Sequence, residues 1–113
     1  MSALSDLSDT ELIALCIKSG RVSFRPFEAL VGRYEGLIYS FCYRYFHNKE
    51  QAEDVTQEVF LKVFNYLSSI QDSKKFKSWV FSIAANLCSD HYKKKKRRAE
   101  LQKEVQQSVE IEG

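Results

Sequence analysis

Glycine and proline are absent between Leu37 and Glu112, and this absence constrains the fold more than any other feature of the chain. Tight hairpins between β-strands depend on these two residues, whereas helices joined by short polar turns do not. A length of 113 residues suits one domain with its own core. We therefore predict an all-α fold, a compact bundle of about four helices.

The N-terminal half predicts two helices. Ser8 and Glu11 have the spacing of a capping box, and the apolar residues behind them end before Gly20, where a helix would stop. Ser23 can cap a second helix, whose apolar residues recur at i, i+3, i+4 and i+7 until it ends near His47. The first helix is thus short and the second is long.

The C-terminal half predicts a third helix followed by a polar loop. Asn48 with Gln51 repeats the capping pattern and opens this helix, which ends around Leu67 or Ser68. Ile70 lies at the middle of the polar loop, where it is expected to be exposed.

A fourth helix begins near Ser73 or Lys74 and runs into six consecutive basic residues, 93–98. Because like charges repel along a helix, we expect its far end to fray. The polar and acidic residues 99–113 predict a linker or disordered tail. The helical domain is therefore assigned to residues 1–98.

Positive charge is concentrated in one part of the chain. The net charge of +2 combines a net −3 in residues 1–58, +8 in residues 59–99 and −3 in residues 100–113. This distribution predicts a basic surface that contacts a polyanion and an acidic surface that contacts a basic partner.

Residues that could support catalysis or bind metal are sparse. His47 and His91 are isolated, and the chain has no glycine-rich phosphate loop and no nucleophile motif, so we predict a protein that is not an enzyme and needs no cofactor or metal. Cys16, Cys42 and Cys88 are odd in number and widely spaced, which indicates reduced core thiols. With neither a signal peptide nor an apolar run long enough for a membrane span, we predict a cytoplasmic protein and favour a monomer.

Four residues of the third helix form a candidate docking strip for a protein partner. Asp54, Gln57 and Glu58 are spaced to project from one side, and Leu61 extends the strip by one turn. Acidic groups beside an exposed leucine suit a basic helical partner, because charge complementarity sets the register and the leucine supplies burial. A solvated helix face without a partner is the alternative that the spacing leaves open.

The fourth helix combines aromatic rings with positive charge, which is typical of binding to single-stranded nucleic acid. Rings stack on unpaired bases for about 1–3 kcal/mol each, while lysines hold the phosphates. Trp79 is expected to be partly core and partly near DNA, and the amide of Asn86 is placed to read the edge of an extruded base. The candidate phosphate contacts are Lys74, Lys75, Lys77, Lys93, Lys94 and Arg97.

These helices resemble region two of the extracytoplasmic-function (ECF) sigma factors of the sigma-70 family, over about residues 8–98. The third helix contains DVTQEVF (54–60), and the fourth contains FKSWVFSIAANLCSDHYKKKKRR (76–98). Upstream, FEALVGRYEGLIYSFCYRYF (27–46) is similar to the preceding helix of that family. An acidic motif followed by a tryptophan-containing helix that ends in a basic block is a specific combination.

The resemblance implies a transcription initiation factor domain that binds core RNA polymerase and melts the promoter minus-ten element by capturing unpaired non-template bases. It places the docking strip against the coiled coil of the largest polymerase subunit. It also implies that Tyr66, Ile70, Ile83 and Asn86 line or support a pocket for an unstacked base. An anti-sigma factor, which in this family commonly masks these surfaces, is expected as a further partner.

Complete members of the family continue into a second helical domain that reads the minus-35 element, and this chain is expected to stop before that domain. Two alternatives remain open. One is a duplex-binding helix-turn-helix regulator, although the turn between the third and fourth helices is longer than usual. The other is a structural helical bundle that docks an acidic protein.

Overall fold

The computed structural model describes residues 3–18 and 21–112, and its four helices confirm the all-α bundle. Within this part of the chain, the only strands are two-residue segments paired antiparallel, with Ile17 opposite Val22. The helices are α1 (Asp9–Cys16), α2 (Phe24–Phe46), α3 (Lys49–Tyr66) and α4 (Phe76–Glu112); the strands are β1 (Ile17–Lys18) and β2 (Arg21–Val22); and 3-10 turns cover Leu4–Asp6, Leu67–Ser69 and Ser73–Lys75.

Side-chain caps start two of the helices as the sequence predicts. The Ser8 hydroxyl accepts from the Glu11 backbone N–H while the Glu11 carboxylate accepts from the Ser8 N–H, which completes the capping box of α1. The Asn48 side chain accepts from the Gln51 N–H at 2.8 Å and caps α3. Ser23 makes no side-chain cap at α2; its backbone N–H donates to the Cys16 carbonyl instead.

Two predicted helix ends are wrong. α1 ends at Cys16 because β1 and β2 pair and reverse the chain, while Gly20 itself lies outside the described residues. α4 continues through the basic block and through residues 99–112. These residues include strong helix formers, and Glu100 follows Lys96 at the i+4 spacing that offsets part of the repulsion.

All four helices contribute to one core, and α4 extends beyond it. Tyr34 of α2 meets Phe76 of α4 edge to face, with ring centroids 5.3 Å apart. Ile70 is partly buried against this core rather than exposed, because the 3-10 turn before it turns the side chain inward. The 37 residues of α4 span about 55 Å at 1.5 Å per residue, which makes the molecule 73 Å long and 24 Å wide.

Arg33 fastens the N-terminal segment to α2. Its guanidinium forms a 2.9 Å ion pair with Asp9 and donates to the backbone carbonyls of Leu4 and Leu7. The neighbouring Tyr34 hydroxyl donates to the second Asp9 oxygen. One carboxylate and one guanidinium thus hold the segment before α1 on the bundle.

The three cysteines are buried and free, as predicted. The Cys88 thiol of α4 donates to the Cys42 sulfur of α2 at 3.7 Å.

None of the described helices combines the length and the apolarity that a membrane crossing requires.

Candidate nucleic-acid interface and docking strip

The docking strip on α3 is only partly free of contacts within the chain. Asp54 and Gln57 are exposed, and Leu61 exposes 62% of its surface. Glu58 is half-buried, and its carboxylate lies 2.7 Å from Nε2 of His91 on α4. His91 is isolated in the sequence, and nothing local indicates its contact with a residue 33 positions away.

An apolar groove between α2 and α3 adjoins the strip. It encloses about 500 Å³ and includes Phe24, a residue that exposes 70% of its surface. Exposed aromatic area of this kind marks interaction surfaces. No sequence signal predicts the groove, because its two walls come from helices whose faces only the packing brings together. Its lining is Phe24, Phe27, Glu28, Val31, Glu35, Thr56, Gln57, Phe60, Leu61 and Phe64.

A second cavity, of about 450 Å³, lies between the loop after α3 and the start of α4. Asp72 shapes this loop, because its side chain accepts from the Lys74 N–H and its carbonyl accepts from the Lys75 N–H. Ile70 and Trp79 supply apolar area, and the surrounding residues are polar. The cavity is lined by Ser69, Ile70, Gln71, Asp72, Lys75, Ser78, Trp79 and Ser82.

Trp79 is half-buried, with one part packed against the core and another lining the cavity. Its ring centroid lies 6.0 Å from that of Phe76. The predicted core contact of Trp79 is confirmed, and its contact with DNA stays a prediction. A ring held in this way loses little rotamer freedom when a base stacks on its open side.

Three residues predicted beside the cavity lie outside its lining. Tyr66 is exposed at the end of α3, where its carbonyl accepts from the Ser69 hydroxyl. Ile83 is turned towards the core, because it follows Ser82 by about 100° around the helix. Asn86 is exposed one turn beyond Ser82, at i+4.

One face of α4 continues from the cavity to the basic block. The i, i+3 and i+7 spacing places Trp79, Ser82 and Asn86 in one row of α4, and the next turns along it carry Lys93 and Arg97. Lys75, in the 3-10 turn just before α4, lines the same cavity as Trp79. We call these six residues the α4 face. Asp90, also exposed, falls between its two parts.

The basic block is divided around the helix. Lys94, Lys95 and Arg98 line a cleft of about 460 Å³ together with His91 and with Gln51 of α3. Lys94, a predicted DNA contact, is therefore away from the α4 face. Lys74 and Lys77 are exposed but line neither cavity, and the spacing turns Lys77 to the side of α4 opposite Trp79.

Comparison with known families identifies a match over more than half of the chain. The profile of Sigma-70 region 2 matches residues 30–98, which contain most of α2, all of α3 and the packed part of α4. The docking strip and the α4 face both lie within this range.

Several curated proteins are similar to the chain. The ECF RNA polymerase sigma factor SigW of Bacillus subtilis is 38% identical over 79 residues, which cover 70% of the chain and 42% of SigW. The RNA polymerase sigma-H factor of Pseudomonas aeruginosa is 32% identical over 74 residues, which cover 66% of the chain and 38% of that protein. The ECF RNA polymerase sigma factor BldN of Streptomyces coelicolor is 32% identical over 76 residues, which cover 66% of the chain and 29% of BldN. The matched part thus spans less than half of each relative.

Proposed function

The chain belongs to the sigma-70 family as an ECF-type region 2 domain, and on this premise we propose that it binds core RNA polymerase and captures unpaired bases of the promoter minus-ten element. The observation that carries the proposal is the α4 face. It begins at a cavity with a half-buried tryptophan and ends at two cations, Lys93 and Arg97. A single strand needs this combination of a stacking surface and phosphate contacts.

Polymerase docking rests on the strip and the adjoining groove. Asp54 supplies a carboxylate free of ion pairs among the described residues, and Leu61 with Phe24 supplies exposed apolar area. Glu28 and Glu35 also line the groove. An acidic rim around an apolar floor suits a basic, apolar-faced helix, which we take to be the coiled coil of the largest polymerase subunit.

Promoter opening follows from preferential binding rather than from bond chemistry. A base that leaves the duplex can stack on Trp79 and fill the cavity, whereas a paired base cannot enter it. Because the chain binds the unpaired form more tightly than the paired form, it shifts the equilibrium between duplex and melted DNA towards the melted state, by an amount set by the difference between the two affinities. Asn86, one turn along the α4 face, is positioned to hydrogen-bond a neighbouring base, while Lys93 and Arg97 hold the backbone.

The decisive experiment pairs two single substitutions with two ligands. Asp54→Lys should abolish capture by core polymerase and leave binding to single-stranded DNA intact, because Asp54 lies on α3 and has no intramolecular ion pair to lose. Asn86→Ala should weaken binding to a strand selected from a random pool far more than to its scrambled version. Glu104→Lys, an equal charge reversal on the exposed end of α4, is the control and should change neither.

Two results would each refute one part of the proposal. Unchanged polymerase capture by the Asp54→Lys chain removes the docking assignment. Equal loss of selected and scrambled strands in the Asn86→Ala chain removes base readout. A preference of the unmodified chain for duplex DNA would instead support the helix-turn-helix alternative, although the nine residues between α3 and α4 exceed its usual turn.

A further inference from the structure

The residues that line the cleft between the start of α3 and the basic block have no role in the proposed function. Three cationic side chains, Lys94, Lys95 and Arg98, line it with His91 and Gln51. Its volume of about 460 Å³ lies within the range of about 300–1,000 Å³ that is typical of small-molecule sites. The cleft therefore has both the size and the polar groups of a binding site.

The cations in this cleft have no acidic partner in the part of the chain that the structure describes. The ion pairs found there are Arg33 with Asp9 and His91 with Glu58. Asp90 precedes Lys94 by four residues but forms no ion pair with it. Lys94 and Arg98 are themselves four residues apart, a spacing at which like charges destabilise a helix. An anion bound between them would remove this repulsion.

His91 connects the cleft with the docking strip. Its ring packs edge-on against Phe46, with centroids 6.4 Å apart, and its Nε2 faces Glu58. The ring is thus fixed by α2 and α3 while it forms part of the cleft wall. Gln51, in the first turn of α3, adds a side-chain amide that can donate to an oxyanion.

We propose that this cleft binds adjacent phosphate groups and is a separate site from the α4 face. Lys94, Lys95 and Arg98 supply charge-assisted hydrogen bonds to phosphate oxygens, and Gln51 supplies a neutral donor. The guanidinium of Arg98 suits two oxygens of one phosphate, whereas each lysine acts as a point charge. The phosphates come either from a free oligophosphate or from a nucleic-acid backbone. The site stands whether or not the chain melts promoters.

The experiment measures binding of inorganic tripolyphosphate to the full chain by calorimetry, with the His91 ring resonances as a local NMR probe. The unmodified chain should bind it and shift the His91 signals, because the His91 ring forms part of the cleft wall. Lys95→Gln/Arg98→Gln should lower the affinity at least about tenfold, because two charge-assisted contacts are lost.

Lys93→Gln/Arg97→Gln is the matched control: it removes the same charge from the other side of the same helix, so it should lower the affinity clearly less, through the long-range effect of charge alone. Equal losses in the two double variants, or no binding by the unmodified chain, would overturn the proposal. A short DNA duplex without terminal phosphates distinguishes the sources. If Lys95→Gln/Arg98→Gln weakens tripolyphosphate alone, the ligand is a free oligophosphate; if it weakens both, the nucleic-acid backbone also reaches the cleft.

Discussion

Buried thiols of the bundle hold their protons more tightly than thiols in the unfolded chain. Burial raises the pKa of Cys16 from the ordinary value of 9.0 to about 11 and that of Cys88 to about 12, and it also raises the pKa of Cys42. A thiolate is the reactive form of cysteine, so these three residues are structural rather than nucleophilic.

Tyr34 shows the same direction of change with a more specific cause. Burial, followed by its hydrogen bond to Asp9 and the negative charge of that carboxylate, raises the pKa of Tyr34 from 10.0 to about 12. The folded state therefore keeps these protons at pH values where the unfolded chain releases them. Stability is fully present below about pH 9, and it falls as the pH rises towards 12.

Alkaline pH should consequently destabilise the fold, and Tyr34→Phe should reduce this dependence. The variant keeps the ring packing against Phe76 but loses the hydroxyl, so its free energy of unfolding should be lower near neutral pH and should fall less steeply above about pH 9. Urea unfolding at several pH values measures both effects. Tyr45→Phe removes a hydroxyl from an exposed ring and is the control. Parallel curves for the Tyr34→Phe chain and the unmodified chain would contradict the assignment.

Between elements, the contact most open to testing is the attachment of the N-terminal segment to α2 by Arg33. Arg33→Ala removes the ion pair with Asp9 and the guanidinium hydrogen bonds to the Leu4 and Leu7 carbonyls. We expect a loss of about 2 kcal/mol in the free energy of unfolding, the scale of hydrogen bonds to charged groups. Arg25→Ala removes an exposed arginine from the same helix and should cost less than about 0.5 kcal/mol. Urea unfolding of both variants checks this, and equal losses would show that Arg33 does not fasten the segment.

Local sequence signals predicted the elements well where a helix starts at a side-chain cap. The Ser8 and Asn48 caps and the apolar spacing located the starts of α1, α2 and α3 almost to the residue. The reversal after Cys16 was missed, because strands of two residues are too short to show a period. The extension of α4 was missed because charge repulsion was given more weight than helix propensity.

The candidate site was less predictable than the fold, because tertiary contacts decide which side chains share a cavity. Asp54 and Leu61 were assigned from spacing alone, and both are exposed as expected. The contact of Glu58 with His91 joins two helices, and no local pattern encodes it. Ser78 and Ser82 line the cavity beside Trp79, yet serine on a helix surface carries no signal of its own.

At the scale of the whole molecule, opposite charges are placed on different helices. The acidic strip lies on α3, whereas Lys93 and Arg97 of the α4 face lie on α4. Because exposed charges are screened over about 8–10 Å at physiological salt, we predict that the two surfaces act separately. A change confined to one surface should therefore leave binding at the other intact.

The salt dependence of DNA binding offers a quantitative test of this separation. Each phosphate neutralised on a single strand contributes about −0.7 to the slope of log K against log salt concentration. Lys93→Gln/Arg97→Gln should thus make the slope for a selected single strand shallower by about 1.4. Arg44→Gln/Lys62→Gln removes the same charge from exposed positions on α2 and α3 and should leave the slope nearly unchanged. Fluorescence anisotropy over a salt series measures both slopes. If the two double variants change the slope equally, DNA binding depends on the net charge of the molecule, and the strand does not bind along the α4 face.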